Sequence, residues 1–382
     1  CVGSLSGSGL VSGFSSRGPM NDGRLLPTIC ANGEQLTSTV PTNAYAAYSG
    51  TSMSGPSFCG SVILLSQLWK REHGNMPLAP DMARAIIAQT AVDVAYTSGS
   101  VTIPAGPDYA TGFGLVDVKA AADLILADSA GGGSQLMRGI ARQASVSNYF
   151  VQVSSSASPL KVTLSWLDTQ PASGAAVILV NDLDLELIAP NGTTIHYPYS
   201  GLTGTGSQYT PFVQTGPNRR DNLEQAVVAN PATGTWTIRV KGFSLPDPAT
   251  PIGFVVACNR PMARDGVIYH DPLNSGTPVA IPDNTAPGVA RTFNVTQSKL
   301  VRHVRAYVNV LHTQRGDISI RLRHPDNTEV LLEGNDTSTR DDIFGVFPDT
   351  RKYNDDVTSL YNKNAQGTWT ITVRDNNANN TG

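Results

Sequence analysis

Charge is scarce in this chain. Among 382 residues, 27 Lys+Arg and 30 Asp+Glu make up only 15% and leave a formal net charge of −3 with a pI of about 6.1. With no basic surplus there is no face for a phosphate backbone, which excludes nucleic acid as a partner. No apolar run approaches the roughly 18 residues of a membrane span, so none is predicted. Cysteine is also sparse: Cys1, Cys30, Cys59 and Cys258 are too few for a disulfide scaffold and leave the redox compartment weakly constrained. Aromatic residues are 7%, with no platform that argues for sugar binding. What is plentiful is Gly (36) and Pro (25), a bias toward turns and short strands, beside 40% apolar residues, enough for two or three ordinary cores.

Three segments follow from the pattern along the chain. Residues 1–128 read as strand, loop, long helix, a second helix from Pro80 to Ala91, a glycine loop and a last helix from Val118 to Ala127. The run Ser129-Ala130-Gly131-Gly132-Gly133-Ser134 has the composition of a flexible linker. From 136 to 258 the apolar period becomes two, as in Lys161–Trp166 and Thr235–Val240, which predicts a β-sandwich. A Pro- and Asn-rich stretch then leads to a second alternating region, from 285 to the end. The two β segments repeat each other. Asp182-Leu183-Asp184-Leu185 returns at Asp317-Ile318-Ser319-Ile320, and Gly234-Thr235-Trp236-Thr237-Ile238 returns at Gly367-Thr368-Trp369-Thr370-Ile371.

The chemistry is concentrated in Gly50-Thr51-Ser52-Met53-Ser54-Gly55-Pro56, where a small extended run turns abruptly into an apolar-periodic helix. A helix start leaves amides without partners beside the positive end of the dipole, so a carbonyl attacked by Ser52 would meet ready donors for its oxyanion. Ser52 is the candidate nucleophile, and its own amide one oxyanion donor. The helix is predicted to be buried, and Pro56 to fall near its first turn, where a missing amide hydrogen matters little. The bland alternative is that Ser52 only caps the helix.

These residues resemble the subtilisin-like serine proteases, whose nucleophile motif reads GTSM. In the same order, Phe14-Ser15-Ser16-Arg17-Gly18-Pro19 resembles that family's FSSRGP. Asp22 to Gly33 resembles its DGRxKPDIxAPG strand, with Thr28 in place of aspartate and Asn32 in place of proline, and Tyr109 to Val116 resembles its YGxGxV. The first β segment is similar to a subtilase jelly-roll domain through its NDLDL, APNGT and GTWTI strings at Asn181, Ala189 and Gly234. The second resembles the P domain of kexin-like convertases, from Gly316 through Trp369. The resemblance implies a partial α/β subtilisin-like domain (1–128) followed by two all-β jelly-roll sandwiches (136–258 and 285–382). It implies a serine endopeptidase acting on proteins or peptides, secreted or in the secretory pathway, monomeric, and needing no cofactor for its chemistry. Met53 after the serine departs from the convertase GTSAAAP, so the P domain does not imply cleavage after basic pairs.

The family's Asp, His and oxyanion-hole Asn all precede the serine, and none has a counterpart here. His73 lies 21 residues beyond Ser52 along one helix, roughly 30 Å away at 1.5 Å per residue, too far to be the base. His196, His270, His303, His312 and His324 fall in the β segments and read as surface or satisfied histidines. The chain therefore reads as a fragment at both ends, inactive alone; the alternative class is a non-catalytic pseudoprotease that binds through its jelly rolls. From the family's packing, Cys30 and Cys59 are a candidate disulfide, with two buried thiols the equal alternative. Asp182, Asp184, Asp221 and Asn222 are candidate structural Ca²⁺ ligands, and Asp341-Asp342 with Asp355-Asp356 form a similar group; the competing reading is that they shape turns. Sequons at Asn191, Asn294, Asn335 and Asn379 are about as many as chance supplies.

Overall fold

The structure is a computed structural model describing all residues except 74, 99–100, 202–211, 248–250, 265–278, 302–303, 305, 348–353, 356 and 379–382. It divides into two units, Cys1–Asp265 and Gly266–Gly382.

In the first unit two short apolar strands, β1 (Val2–Leu5) and β2 (Ile29–Asn32), pair in parallel. The hairpin β3 (Leu36–Val40) and β4 (Ala44–Tyr48) follows, closed by Thr42 and Asn43 at φ 70° and 57°, the left-handed conformations that hairpin connections favour. Next come α1 (Thr51–Glu72), α2 (Pro80–Thr90), the small hairpin β5 (Tyr96–Ser98) and β6 (Val101–Ile103), and α3 (Val118–Ala130). Pro80 starts α2 where its missing amide is no loss, and Asp117 caps α3 by accepting from the Ala120 amide at 2.8 Å.

The stretch expected to be a flexible linker is instead pinned. α3 continues through Ala130, and the buried Asp128 carboxylate accepts from the amides of Gln135 (2.7 Å) and Leu136 (2.8 Å). Composition flagged the glycines, but a buried carboxylate that gathers the turn amides decides their role.

Nine strands follow among the described residues: β7 (Leu136–Ala141), β8 (Val146–Val153), β9 (Leu160–Trp166), β10 (Asp182–Ile188), β11 (Ile195–His196), β12 (Leu223–Val228), β13 (Gly234–Ser244), β14 (Ile252–Cys258) and β15 (Met262–Arg264). They form two sheets, ordered β11-β10-β13-β8-β15 and β12-β9-β14-β7. Alternation sends Leu183, Leu185 and Leu187 of β10 inward with Tyr149, Trp166, Trp236 and Phe254, all fully buried in one core.

The second sheet also packs outward. Leu223, Val255 and Ala257 share a core with Ala85, Ile86 and Ala88 of α2 and with Leu65 and Trp69 of α1. Polar groups at this seam are matched: Gln89 Nε2 donates to the Lys161 carbonyl (2.9 Å), Thr163 Oγ1 to Gln89 Oε1 (2.7 Å) and Gln225 Nε2 to the Ala88 carbonyl (2.8 Å). Arg138 grips Asp81 through two nitrogens at 2.8 and 2.7 Å, with both side chains largely buried. Arg138→Ala would strand the Asp81 carboxylate. The first unit is expected to lose about 3–5 kcal/mol, read by urea unfolding followed through tryptophan fluorescence; a loss under about 1 kcal/mol, the size of a surface pair, would contradict this.

The second unit contains β16 (Val289–Val295), β17 (Ala306–Val310), β18 (Ile318–Arg323), β19 (Glu329–Glu333), β20 (Ile343–Phe347) and β21 (Gly367–Asp375). They pair as β16-β21-β18-β19 and β17-β20 around Ile318, Ile320, Leu332, Phe347 and Trp369. The sequence repeat is a structural one. Gly234 and Gly367 open β13 and β21 at φ 128° and 125°, against Pro190 and Pro325 respectively. Trp236 Nε1 then donates to the Ala232 carbonyl and Trp369 Nε1 to the Ala365 carbonyl, each at 2.8 Å. In each unit the first repeat strand pairs antiparallel with the tryptophan strand, β10 with β13 and β18 with β21.

Candidate active site

Ser52 is the second residue of α1, solvent-exposed, with Gly50 as the extended residue before the helix. The Gly50 carbonyl already accepts from the amides of Met53 (2.9 Å) and Ser54 (3.2 Å). The amides of Thr51 and Ser52 have no partner among the described residues, so the donors predicted for an oxyanion are present and free. Ser54, which the sequence did not single out, is buried and donates Oγ–H to the Thr51 carbonyl at 3.0 Å, tying down this first turn.

The turn is seated on β2. Gly50 donates its amide to the Gly33 carbonyl at 2.8 Å, and Gly33 donates its own to the Leu5 carbonyl at 3.0 Å. A Cβ at Gly33 would fall 2.7 Å from the Gly50 carbonyl oxygen and collide with Ser4 Oγ. Ser4 is held in turn by Ser12 Oγ at 2.8 Å and by its amide donating to Ser15 Oγ at 3.0 Å. Sequence reasoning placed Gly33 and Ser15 in structural motifs only, whereas here they set the height of the turn that carries Ser52, the candidate nucleophile.

Two expectations about α1 are corrected. The helix is not buried: only Ser54, Leu65 and Trp69 are, while Ile63 (63%), Leu64 (61%) and, on the neighbouring hairpin, Tyr45 (73%) and Tyr48 (54%) stand exposed. The face of α1 carrying Ser52, Pro56, Cys59 and Ile63 has no described element over it. Pro56 lies at the sixth helical residue, past the first turn, and removes the i+4 donor of the Ser52 carbonyl.

The segment resembling YGxGxV braces β2 from its other side. Phe113 and Val116 donate amides to the carbonyls of Thr28 and Cys30, both at 3.0 Å, and Cys30 donates to the Gly114 carbonyl at 2.8 Å. Asp108 shapes its entry, accepting from the amides of Ala110 (2.6 Å) and Thr111 (3.0 Å) and from Thr111 Oγ (2.9 Å). Burial pushes this carboxyl up from 3.8 to about 6 against those three bonds. The folded state therefore keeps a proton that the unfolded chain has released, so this group's contribution is complete below pH 3.8 and is lost as pH rises toward 6. Asp108→Asn is expected to remove that decline between pH 4 and 6.5 while keeping the acceptor, measured by urea unfolding at both pH values.

His73 caps the far end of α1. Its ring stacks on Trp69 at 3.6 Å and its Nε2 lies 3.7 Å from Asp128. His312 (Nε2 to Asp375, 3.2 Å) and His324 (Nε2 to the Asn364 carbonyl, 3.0 Å) are buried and satisfied, and His196 is half-buried near the Trp236 ring. His270 and His303 lie outside the described residues. Ser52 Oγ has no hydrogen-bond partner among the described residues.

All four cysteines are free. The candidate Cys30–Cys59 bridge is absent because Cys30 is buried on β2, its thiol pushed up to about 12 by that burial, while Cys59 points from the exposed face of α1.

The four candidate calcium ligands are not gathered into one shell. Asp182 and Asp184 share Arg219, whose guanidinium also lies 3.5 Å over the Phe243 ring. Asp221 accepts from the Leu25 amide and Asn218 Nδ2, both at 2.9 Å, and Asn222 Oδ1 accepts from Arg84 at 2.8 Å. Among the described residues no three His, Cys, Asp or Glu side chains converge as metal ligands would. In the second acidic group Asp342 accepts from the His312 amide and Asp355 from the Leu331 amide, both at 2.8 Å, bonds that join segments 30 and 24 residues apart; Asp356 lies outside the described residues.

Comparison with known proteins matches three stretches of the chain. Residues 1–115 match the subtilase family, 146–242 the bacterial pre-peptidase C-terminal domain and 301–382 the proprotein convertase P-domain. A C5a peptidase of Streptococcus pyogenes is 38% identical over 83 residues, 21% of this chain and 7% of that protein. A tripeptidyl-peptidase 2 of Oryza sativa subsp. japonica is 39% identical over 97 residues, 25% and 7% respectively. The chain thus spans a small fraction of these relatives' length. Among solved structures, the patellamide maturation protease PatA aligns at 23% identity with a TM-score of 0.27, over 33% of this chain and 42% of that one. The Aeromonas sobria serine protease in complex with its chaperone aligns at 16% identity with a TM-score of 0.23, over 69% and 57%.

Proposed function

We propose that this chain, whose residues 1–115 are a subtilase segment with pre-peptidase C-terminal and P-domain segments behind it, is part of a secreted or secretory-pathway serine endopeptidase. Ser52 attacks a peptide carbonyl of a protein substrate, and the free amide of Ser52 stabilises the resulting oxyanion on the way to an acyl-enzyme. The observation that carries this reading is the exposed Ser52 on a helix start with two unpartnered amides, seated on Gly33.

A serine hydroxyl needs a base and an orienting carboxylate to react. No described histidine bonds Ser52, so these 382 residues by themselves are inactive, and the parent protein supplies the Asp, His and side-chain oxyanion donor. The uncovered apolar residues Ile63, Leu64, Tyr45 and Tyr48 support a larger peptidase domain packed on this face. On this reading the β segments stabilise the peptidase segment or orient protein substrates, with structural Ca²⁺ a proposal that the Arg219 pairing does not favour at Asp182 and Asp184.

The test is labelling with a fluorophosphonate. The full-length parent is expected to label at Ser52 and its Ser52→Ala variant not to, while the 382-residue chain labels with neither. A folded parent that fails to label would favour a pseudoprotease whose β units carry the function.

A further inference from the structure

Where the peptidase segment meets the first β sheets, a cavity of about 90 Å³ opens partly to solvent between Arg24, Leu25, Thr28, Arg84, Asp221 and Asn222, with Phe113 and Leu223 among its apolar walls. The space is large enough for several waters or one small oxyanion. Two arginines face it.

Arg84, from α2, crosses the seam. One terminal nitrogen donates to Asn222 Oδ1 at 2.8 Å and the other makes a long contact of 3.4 Å to the Trp166 carbonyl. Among the described residues no carboxylate lies within ion-pair distance of it; burial pushes its guanidinium below the usual value, and the charges of Asp221 and Asp81 act the other way. A guanidinium has five N–H donors in a planar fork, so Arg84 keeps spare donors in a poorly hydrated place. Of the nearby carboxylates, Asp221 also lines the cavity and with Asp81 offsets part of the Arg84 charge, while burial pushes the Asp221 carboxyl up; each has closer partners as well. Asp81 is held by Arg138, Asp221 by the Leu25 amide and Asn218, and Asp22 by Arg24 at 2.6 Å. Thr28 contributes a hydroxyl with no partner among the described residues.

We propose that this seam cavity is a binding site for a small oxyanion, a carboxylate or a phosphate, held by the Arg84 fork with Thr28 and Arg24 at its sides. An anion there adds a close partner for a half-buried cation that also fastens the β sheets to the peptidase segment. Occupancy therefore tightens the seam and with it the footing of β2.

The test is thermal unfolding of the 382-residue chain, followed by tryptophan fluorescence, in sodium acetate or sodium phosphate against sodium chloride at equal ionic strength. The midpoint is expected to rise saturably, by about 3–6 °C at ten times the half-saturating concentration. Arg84→Gln should abolish the response. Thr28→Asp, which places a carboxylate in the same cavity, should raise the midpoint in chloride alone and also abolish the response, so the test stands even if Arg84→Gln folds poorly. Saturation by acetate alone identifies a carboxylate guest, and by phosphate alone a phosphate. A rise matched by chloride, one that does not saturate, or one that survives Thr28→Asp overturns the proposal.

Discussion

Ser52→Ala in the parent protein is expected to cut kcat/KM for peptide hydrolysis by at least about a thousandfold while leaving KM and the unfolding midpoint close to wild type. A triad that loses one member retains only what oxyanion stabilisation and binding supply, and Ser52 contributes little to the fold. It is exposed, its Oγ has no partner among the described residues, and the first turn is secured by Ser54 and by the Gly50 carbonyl instead. A variant that retained a tenth of wild-type turnover would remove Ser52 from the mechanism. One that lost activity together with a large fall in the midpoint would make the serine a structural cap.

Gly33→Ala is expected to lower kcat about a hundredfold without touching any group that reacts. The added methyl would meet the Gly50 carbonyl oxygen at 2.7 Å and crowd Ser4 Oγ, both held by their own hydrogen bonds, so the strand and the start of α1 must part by several tenths of an ångström. Displacements approaching an ångström at a nucleophile cost about this much. The discriminating readout is fluorophosphonate labelling of folded variant. Slowed labelling with KM nearly unchanged places the effect on nucleophile height, and labelling at the wild-type rate would show that the turn is seated by something else. Ser54→Ala is a useful companion, since loss of its buried hydrogen bond should loosen the same turn at a cost of about 1 kcal/mol in stability.

The motifs carried much of this into view from sequence. The helix at 51, the helix at 80, the period-two strands and the duplicated β pattern are local signals, because one residue's neighbours at a spacing of two or 3.6 decide which face is apolar. The repeat at Gly234 and Gly367 went furthest, since identical strings reproduced the same proline contact and the same tryptophan hydrogen bond. Ser52 was legible for a similar reason: a serine at an abrupt strand-to-helix change places its hydroxyl and free amides together through backbone geometry alone.

Other features depended on partners far apart in the chain. That Asp128 ties down a glycine run, that Arg219 occupies Asp182 and Asp184, and that Cys30 is buried while Cys59 is exposed follow from packing, which no spacing encodes. The exposure of α1 is of the same kind. Its sequence is apolar enough to be covered, but burial depends on what lies over Ile63 and Leu64, and only the assembled structure shows that the described residues leave that face open. By itself the sequence determined the position of the candidate nucleophile at a helix start, the order of the segments and their periodicity, all products of short-range backbone geometry. Tertiary structure alone decided the seat of Ser52 on Gly33, the seam that binds α2 to the β sheets and the placement of the Arg84 guanidinium in it, because each depends on side chains and backbone groups that meet only once the chain has folded.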